Sequence, residues 1–184
     1  MPPSSQSLTP YPSSILKVTL ATARPNMSGP FVSGDAPIGV AAWVNRDGKG
    51  EPHWMAGYAK ADDFARAAMV LHLLRLPEYQ GAVLEVASSG FRGTLPHVPG
   101  ARARCGLKTN GKPFEGFDVF DPVEAALRRG EWRLVERRGG DVFAGQALEV
   151  AMSLIPEFDQ HKAAHPQWWM LRVGRTSNPL GRVT

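Results

Sequence analysis

Arg92, Arg102, Arg104, Lys108 and Lys112 fall within one irregular stretch, and Arg128, Arg129, Arg137 and Arg138 follow it. Clustered lysines and arginines suit phosphate, because each contact releases condensed counterions. Near these charges only Phe91, Phe114 and Phe117 offer rings for base stacking, so backbone contact rather than sequence-specific readout is the expected chemistry. The plainer reading is the solvated surface of a mildly basic protein, and the two stand side by side.

Other spacings that suggest chemistry are thinner. His161 and His165 lie one helical turn apart, as in some metal sites, but beyond Asp159 no third ligand stands near and no Glu lies between them. A solvated helix end is the reading adopted. Lys108-Thr109-Asn110-Gly111-Lys112 has no strand before it and no Ser or Thr after Lys112, which excludes a P-loop. Ser88-Ser89-Gly90 at a strand end lacks the Gly-x-Ser-x-Gly frame of a nucleophile elbow. Asp62, Asp63 and Asp141 each precede a helical pattern and are expected to cap free N–H groups. Trp168 and Trp169 are adjacent and must point different ways, so at least one needs an apolar home, either in its own domain or on a partner protein or second copy.

The elements that must position these groups follow from periodicity. Ile15 to Ala21 is apolar and β-branched with little alternation, the mark of a central strand. Ile38 to Val44 is a second strand, Asn45-Arg46-Asp47-Gly48-Lys49-Gly50 a hairpin turn, and His53 to Ala59 the returning third strand. Phe64, Ala68, Leu71 and Leu74 form one helical stripe, with Ala67, Val70 and Leu73 beside it, and Pro77 stops the helix. The strand Ala82 to Ala87 is reached through that helix, so it should lie parallel to the first. Prolines then predict a first helix that is short or absent, Phe120 to Leu127 a second, Glu131 to Arg137 a fifth strand, and Val142 to Ile155 a helix with Phe143, Ala147, Val150 and Leu154 on one face.

Met55-Ala56-Gly57-Tyr58, the polar Asp62-Asp63, the helix with Arg66, and a strand running into Ala87-Ser88-Ser89-Gly90-Phe91 come in a telling order. It resembles the middle of the ribonuclease H family. There a strand ending in Gly-Tyr leads through a polar turn to a helix bearing a catalytic Glu, and the next strand ends in Thr-Asp-Ser-x-aromatic. Lys108 to Pro113 followed by Phe120 to Leu127 resembles the far end of the family's basic handle. Val135 to Gly140 stands where the family has Trp-Val-x-Gly-His, and Ala147-Leu148-Glu149-Val150-Ala151 where it has Ala-Asp-x-Leu-Ala. The resemblance spans Ile15 to Ile155. It implies an α/β, ribonuclease H-like fold with a five-stranded mixed sheet, strands one to three antiparallel and four and five parallel to the first, flanked by helices.

Enzymes of that family cleave the RNA strand of a hybrid with two divalent ions held by converging carboxylates. The resemblance puts Ala21, Arg66, Ser88 and Leu148 at those positions, and none is a carboxylate. Arg66 would repel the ions. What it implies is a pseudoenzyme with no cofactor and no bound metal, binding nucleic acid (RNA/DNA hybrid or duplex) through Arg66, Ser88, Arg92, Arg102, Arg104, Lys108, Lys112, Arg137 and Arg138. The alternatives are a structural or protein-interaction domain using Trp168 and Trp169, and a nuclease with relocated ligands such as Glu85, Asp63 and Glu149.

Composition bounds these readings. A chain of 184 residues, 43% hydrophobic, suffices for one full core without staples. Residues 1–14, rich in Pro and Ser, are expected to be a disordered leader without signal-peptide character, 15–156 the domain, and 157–184 an extension whose tail from Arg172 is flexible and basic. No run nears the ~18 apolar residues of a membrane span. One cysteine, Cys105, makes no internal disulfide, which agrees with a cytoplasmic protein and a plain thiol. The net charge of +4 mildly favours an anionic partner.

Overall fold

Alternation along the first strand divides the protein into two layers around one sheet. In a computed structural model that describes residues 14–25, 36–59, 61–88, 91, 93–136, 141–155 and 170–175, β1 (Ile15–Ala23) sends Leu16, Val18 and Leu20 into the larger core and Ala21 and Ala23 into the smaller. It runs antiparallel to β2 (Ala36–Arg46), which returns as β3 (Lys49–Ala59). The turn between them needs two consecutive positive φ angles, 52° at Asp47 and 79° at Gly48, a pair whose twist matches that of the strands. Asn45 Oδ1 accepts the Gly48 N–H at 3.0 Å and closes it.

Helix α1 (Asp62–Arg75) carries the chain across the sheet, and β4 (Val83–Ala87) then pairs parallel to β1. The prolines that follow shorten the next helix without abolishing it. Leu95–His97 forms a 3-10 turn that feeds α2 (Val98–Ala103), and α3 (Phe117–Arg128) lies over the sheet beside α1. Strand β5 (Trp132–Val135) pairs parallel to β4, and Trp132, fully buried, donates its indole N–H to the Val123 carbonyl of α3 at 2.8 Å. On the opposite face α4 (Val142–Ser153) buries Ala147, Val150 and Ala151 against Ala21, Ala41 and Ala56. It lies so close that a Cβ on Gly39 would sit 2.2 Å from the Ala151 carbonyl oxygen, which is why that strand position has no side chain. Among the described residues no helix is long and apolar enough to cross a membrane.

The expected meander, the parallel additions and the flanking helices are all present, but the sheet has six strands, in the order β5-β4-β1-β2-β3-β6. The sixth, β6 (Met170–Gly174), pairs antiparallel with β3 and corrects the expectation of five strands and of a tail flexible from Arg172. Arg175, just beyond it, forms ion pairs with Glu51 of β3 and with Glu78.

Beside this clamp lies a buried polar chain. The Tyr79 hydroxyl donates to Glu51 Oε2 at 2.8 Å, so its oxygen accepts from His53 Nε2, also at 2.8 Å. His53 is therefore the neutral Nε2–H tautomer, and its Nδ1 is buried without a hydrogen-bond partner. Burial first, and the Arg175 cation second, pull its pKa down to about 4. An unfolded chain takes up this proton near the ordinary value of 6.5 while the folded one refuses it until about 4, so His53 costs stability as pH falls through that window. The unfolding free energy from urea titrations should fall for the wild type by at most about 1.4 kcal/mol per pH unit between roughly pH 6.5 and pH 4 from this one proton. In His53→Gln the fall should be shallower over the same range, and parallel curves would remove His53 as its source.

Candidate nucleic-acid interface

At the carboxyl ends of β1 and β3 the chain assembles a network of charges around the first turn of α1. Asp62 and Asp63 are not the caps that their position suggests: the N-cap is Ala61, which has no side-chain acceptor, and the two acids are the first helical residues. There they complement the positive end of the helix dipole and reach outward. Asp62 Oδ1 accepts Arg24 Nε at 2.5 Å and its Oδ2 accepts the Thr22 hydroxyl at 3.2 Å, while Arg24 also donates to the Ala59 carbonyl at 3.0 Å. Arg66, one helical turn on, donates to Asp63 Oδ1 at 3.0 Å and to Thr22 Oγ1 at 3.1 Å.

Asp63 also reaches past β4. Its Oδ1 accepts the Phe91 N–H at 3.1 Å and its Oδ2 the Thr94 hydroxyl at 3.4 Å. Phe91 has a φ of 85°, a strained conformation for a bulky residue, and its buried ring lies 5.5 Å from that of Trp132. The acid thus holds a turn that the local sequence alone disfavours.

Beyond this network opens a cleft of about 900 Å³ between the start of α1 and the 104–118 segment. Its walls hold Tyr58, Phe64 and Phe114, the cations Arg104 and Lys108, and the acids Glu115 and Asp118. Lys108 sits on a turn closed by its own N–H on the Lys112 carbonyl at 2.8 Å, which brings Lys112 to the same tip. Arg104 Nε donates to the Leu107 carbonyl at 3.2 Å.

No family model and no curated protein matches this chain. Solved structures do. LC9-RNase H1, a type 1 ribonuclease H with the type 2 active-site motif, superposes with a TM-score of 0.53 at 15% identity, over 95% of this chain and 99% of that one. A foamy viral protease-reverse transcriptase in complex with dsDNA gives 0.51 at 10% identity, over 77% of this chain and 92% of that one. The fold is that of ribonuclease H. Identities this low carry the fold alone, and the site has to be argued from its own residues.

The four positions that the sequence resemblance sets against the ribonuclease H acids do not meet at one point. Ala21 packs under α4, whereas Arg66 bonds Thr22 on the other face of the sheet. Ser88 is buried just past β4, and Leu148 turns outward on α4. The β1 residue beside Arg66 is Thr22, one position on from Ala21. The relocated set is also dispersed: Glu85 pairs across strands with Arg133 at 2.5 Å, Asp63 is held by Arg66, and Glu149 is exposed on α4. Among the described residues no group of three or more His, Cys, Asp or Glu could hold a metal ion. Asp141 is the N-cap expected of it, accepting the Phe143 N–H at 3.0 Å, and it also accepts the Thr19 hydroxyl at 2.7 Å.

The basic residues separate. Arg104, Lys108 and Lys112 are exposed or half-exposed around the cleft and its tip. Arg102 instead docks α2 onto α3, donating Nε to Asp121 and Nη2 to Glu124, both at 2.6 Å. Glu124 also accepts Arg128 at 2.5 Å; burial pushes its pKa up, but Arg128 and Arg102 hold it below the usual carboxylate value. Arg129 pairs with Glu131. Arg92, Arg137, Arg138, His161, His165, Trp168 and Trp169 lie outside the described residues. Sequence reasoning missed the cleft aromatics Tyr58 and Phe64, whose spacing signals only core, and the buried pair His53 and Tyr79, for which there was no signal.

Asp63→Ala should lower stability by about 1–3 kcal/mol, the cost of leaving the Phe91 N–H without this acceptor and Arg66 with only Thr22 and Asp62. Asp63→Asn, which keeps one acceptor oxygen, should lose less. Urea unfolding of both variants checks this, and an unchanged midpoint in Asp63→Ala would show that the Phe91 turn stands without it.

Proposed function

We propose that this chain is a non-catalytic nucleic-acid-binding module on a ribonuclease H fold. The observation that carries the reading is the pairing at one end of the sheet of a cleft bearing Arg104 and Lys108 with carboxylates already held by protein donors. Asp62 is bonded to Arg24 and Thr22, and Asp63 to Arg66, Phe91 and Thr94. A divalent ion binding there would have to displace a fixed guanidinium, and its positive charge would be repelled by it. The aligned positions Ala21, Arg66, Ser88 and Leu148 supply no replacement acid.

Phosphate contact falls to Arg104, Lys108 and Lys112, with Arg92, Arg137 and Arg138 as further candidates. Arg66 positions α1 and Ser88 is buried, so neither is assigned to the ligand, and Arg102 belongs to the α2–α3 contact. The ribonuclease H-fold neighbour in complex with dsDNA makes a nucleic-acid duplex or hybrid the natural partner class. A second reading, a protein-interaction domain, draws on the outward face of α4, where Val142 is 73%, Met152 57% and Leu148 42% exposed. Trp168 and Trp169 belong to that reading.

Labelled hybrid, duplex and single-stranded oligonucleotides, titrated across a salt series with Mg²⁺ or Mn²⁺ present, test both claims in the same tubes. Retention without cleavage is expected, with affinity falling steeply as salt rises. Arg104→Ala and Lys108→Ala should each reduce the log–log salt slope by about one. Cleavage abolished by chelator would overturn the non-catalytic reading. Absence of binding at low salt would transfer the assignment to α4, where Leu148→Glu with Met152→Glu should then abolish oligomers or partner capture.

A further inference from the structure

The cleft has the wrong form for duplex backbone alone. It is concave, about 900 Å³, and lies within the roughly 300–1,000 Å³ range of pockets that enclose small ligands. Two of its walls are aromatic and pre-positioned. Phe120, almost fully buried, meets Phe64 edge-to-face at 5.9 Å and Phe114 edge-to-face at 6.1 Å, so both rings are braced from behind. Gly116 is what lets Phe64 sit there: its φ is 73°, and a Cβ on it would lie 2.5 Å from the Phe64 ring.

The charge around these rings is mixed. Arg104 and Lys108 suit a phosphate, but the same cleft holds Asp118 and Glu115, which a groove made only for phosphate would exclude. A carboxylate is a hydrogen-bond acceptor, and the best donors that an unpaired base offers it are the exocyclic amines of adenine, cytosine and guanine; thymine and uracil offer only a ring N–H flanked by two carbonyl oxygens, which repel a carboxylate. A base within a duplex is stacked on both faces and cannot enter a pocket of this kind, whereas an unpaired one can stack on an aromatic wall.

We propose that the cleft seats one unpaired, amine-bearing nucleobase of a single-stranded segment, stacked on Phe64 or Phe114. Its amine is on Asp118 and its phosphate on Arg104 and Lys108. This rests on the nucleic-acid-binding reading above and adds to it a ligand class, a strand end or gap rather than an uninterrupted duplex.

The test compares one hairpin duplex in four forms by fluorescence anisotropy: blunt, and with four-nucleotide 3′ overhangs of adenine, of thymine, or of abasic units that keep the phosphates. The adenine overhang should bind about tenfold more tightly than the blunt form, in line with the loss of one base stack. The thymine overhang, which stacks but donates poorly to Asp118, should gain less than adenine, and the abasic overhang should gain least. Phe114→Ala should erase the gain, and a 2-aminopurine placed in the overhang should be quenched by the wild type but not by that variant. Asp118→Ala alters an exposed residue and should leave the fold intact while removing the preference for adenine over thymine. If abasic and adenine overhangs bind alike, or if Asp118→Ala keeps the preference, the base pocket is overturned while the binding module stands. If no form of the hairpin binds, both fall.

Discussion

The paired carboxylates at the start of α1 hold more of this molecule in place than any other polar contact. Asp62 ties the helix to β1 through Thr22 and Arg24, and Arg24 reaches on to β3. Asp63 ties it to the turn beyond β4. From there the dependence continues through apolar contacts: the Phe91 ring meets Trp132, whose indole N–H anchors α3 at Val123, and α3 carries the Phe120 ring that braces the cleft. Each link is a hydrogen bond or ring contact of ordinary strength, but the links share elements, so the geometry of the cleft follows from acids that line none of it. Charge-assisted bonds of this kind contribute about 1.5–3 kcal/mol where water is excluded, and less at the partial exposure seen here.

Much of the sheet and two of the helices were legible because their determinants are local. The Asp47-Gly48 turn, the apolar face of α1, the Ala147–Val150–Leu154 face of α4 and the Asp141 cap each declare themselves within a few residues. Strand β6 did not, since Met170–Gly174 is short and does not alternate strictly, and its strand character comes from pairing with β3 more than a hundred residues earlier. The ion pairs of Arg102 were not legible for a related reason. Its partners Asp121 and Glu124 lie 19 and 22 residues away on another helix, and a count of cations sees no partners. The cleft could not be read at all, because its walls come from the end of β3, the start of α1 and a loop whose path is set by Gly106, Gly111 and Gly116, all at positive φ.

Small residues set the other layer. Ala21, Ala41 and Ala56, with Gly39, let α4 approach until its backbone nearly touches the sheet, and among the described residues it is the helix that covers that face. Its outer side is consequently apolar at Val142, Leu148 and Met152, since a helix this close to the sheet has little room to turn them inward. The two faces thus differ: one packs α1 and α3 and carries the cleft, the other seats α4 on alanines flanked by Trp43, Trp54 and Tyr58.

Strand β6 lies far along the chain from its neighbour in the sheet, and among the described residues its ladder with β3 and the ion pairs of Arg175 join it there. A single proteolytic cut between α4 and β6 would leave it as a non-covalently held edge strand, free to exchange. Its departure would bare the outer hydrogen-bonding row of β3, an eleven-residue strand, and offer it to the corresponding strand of another molecule. Self-association of a nicked chain, and its capture by any extended peptide that mimics Met170–Gly174, are therefore written into how the sheet is closed on that side.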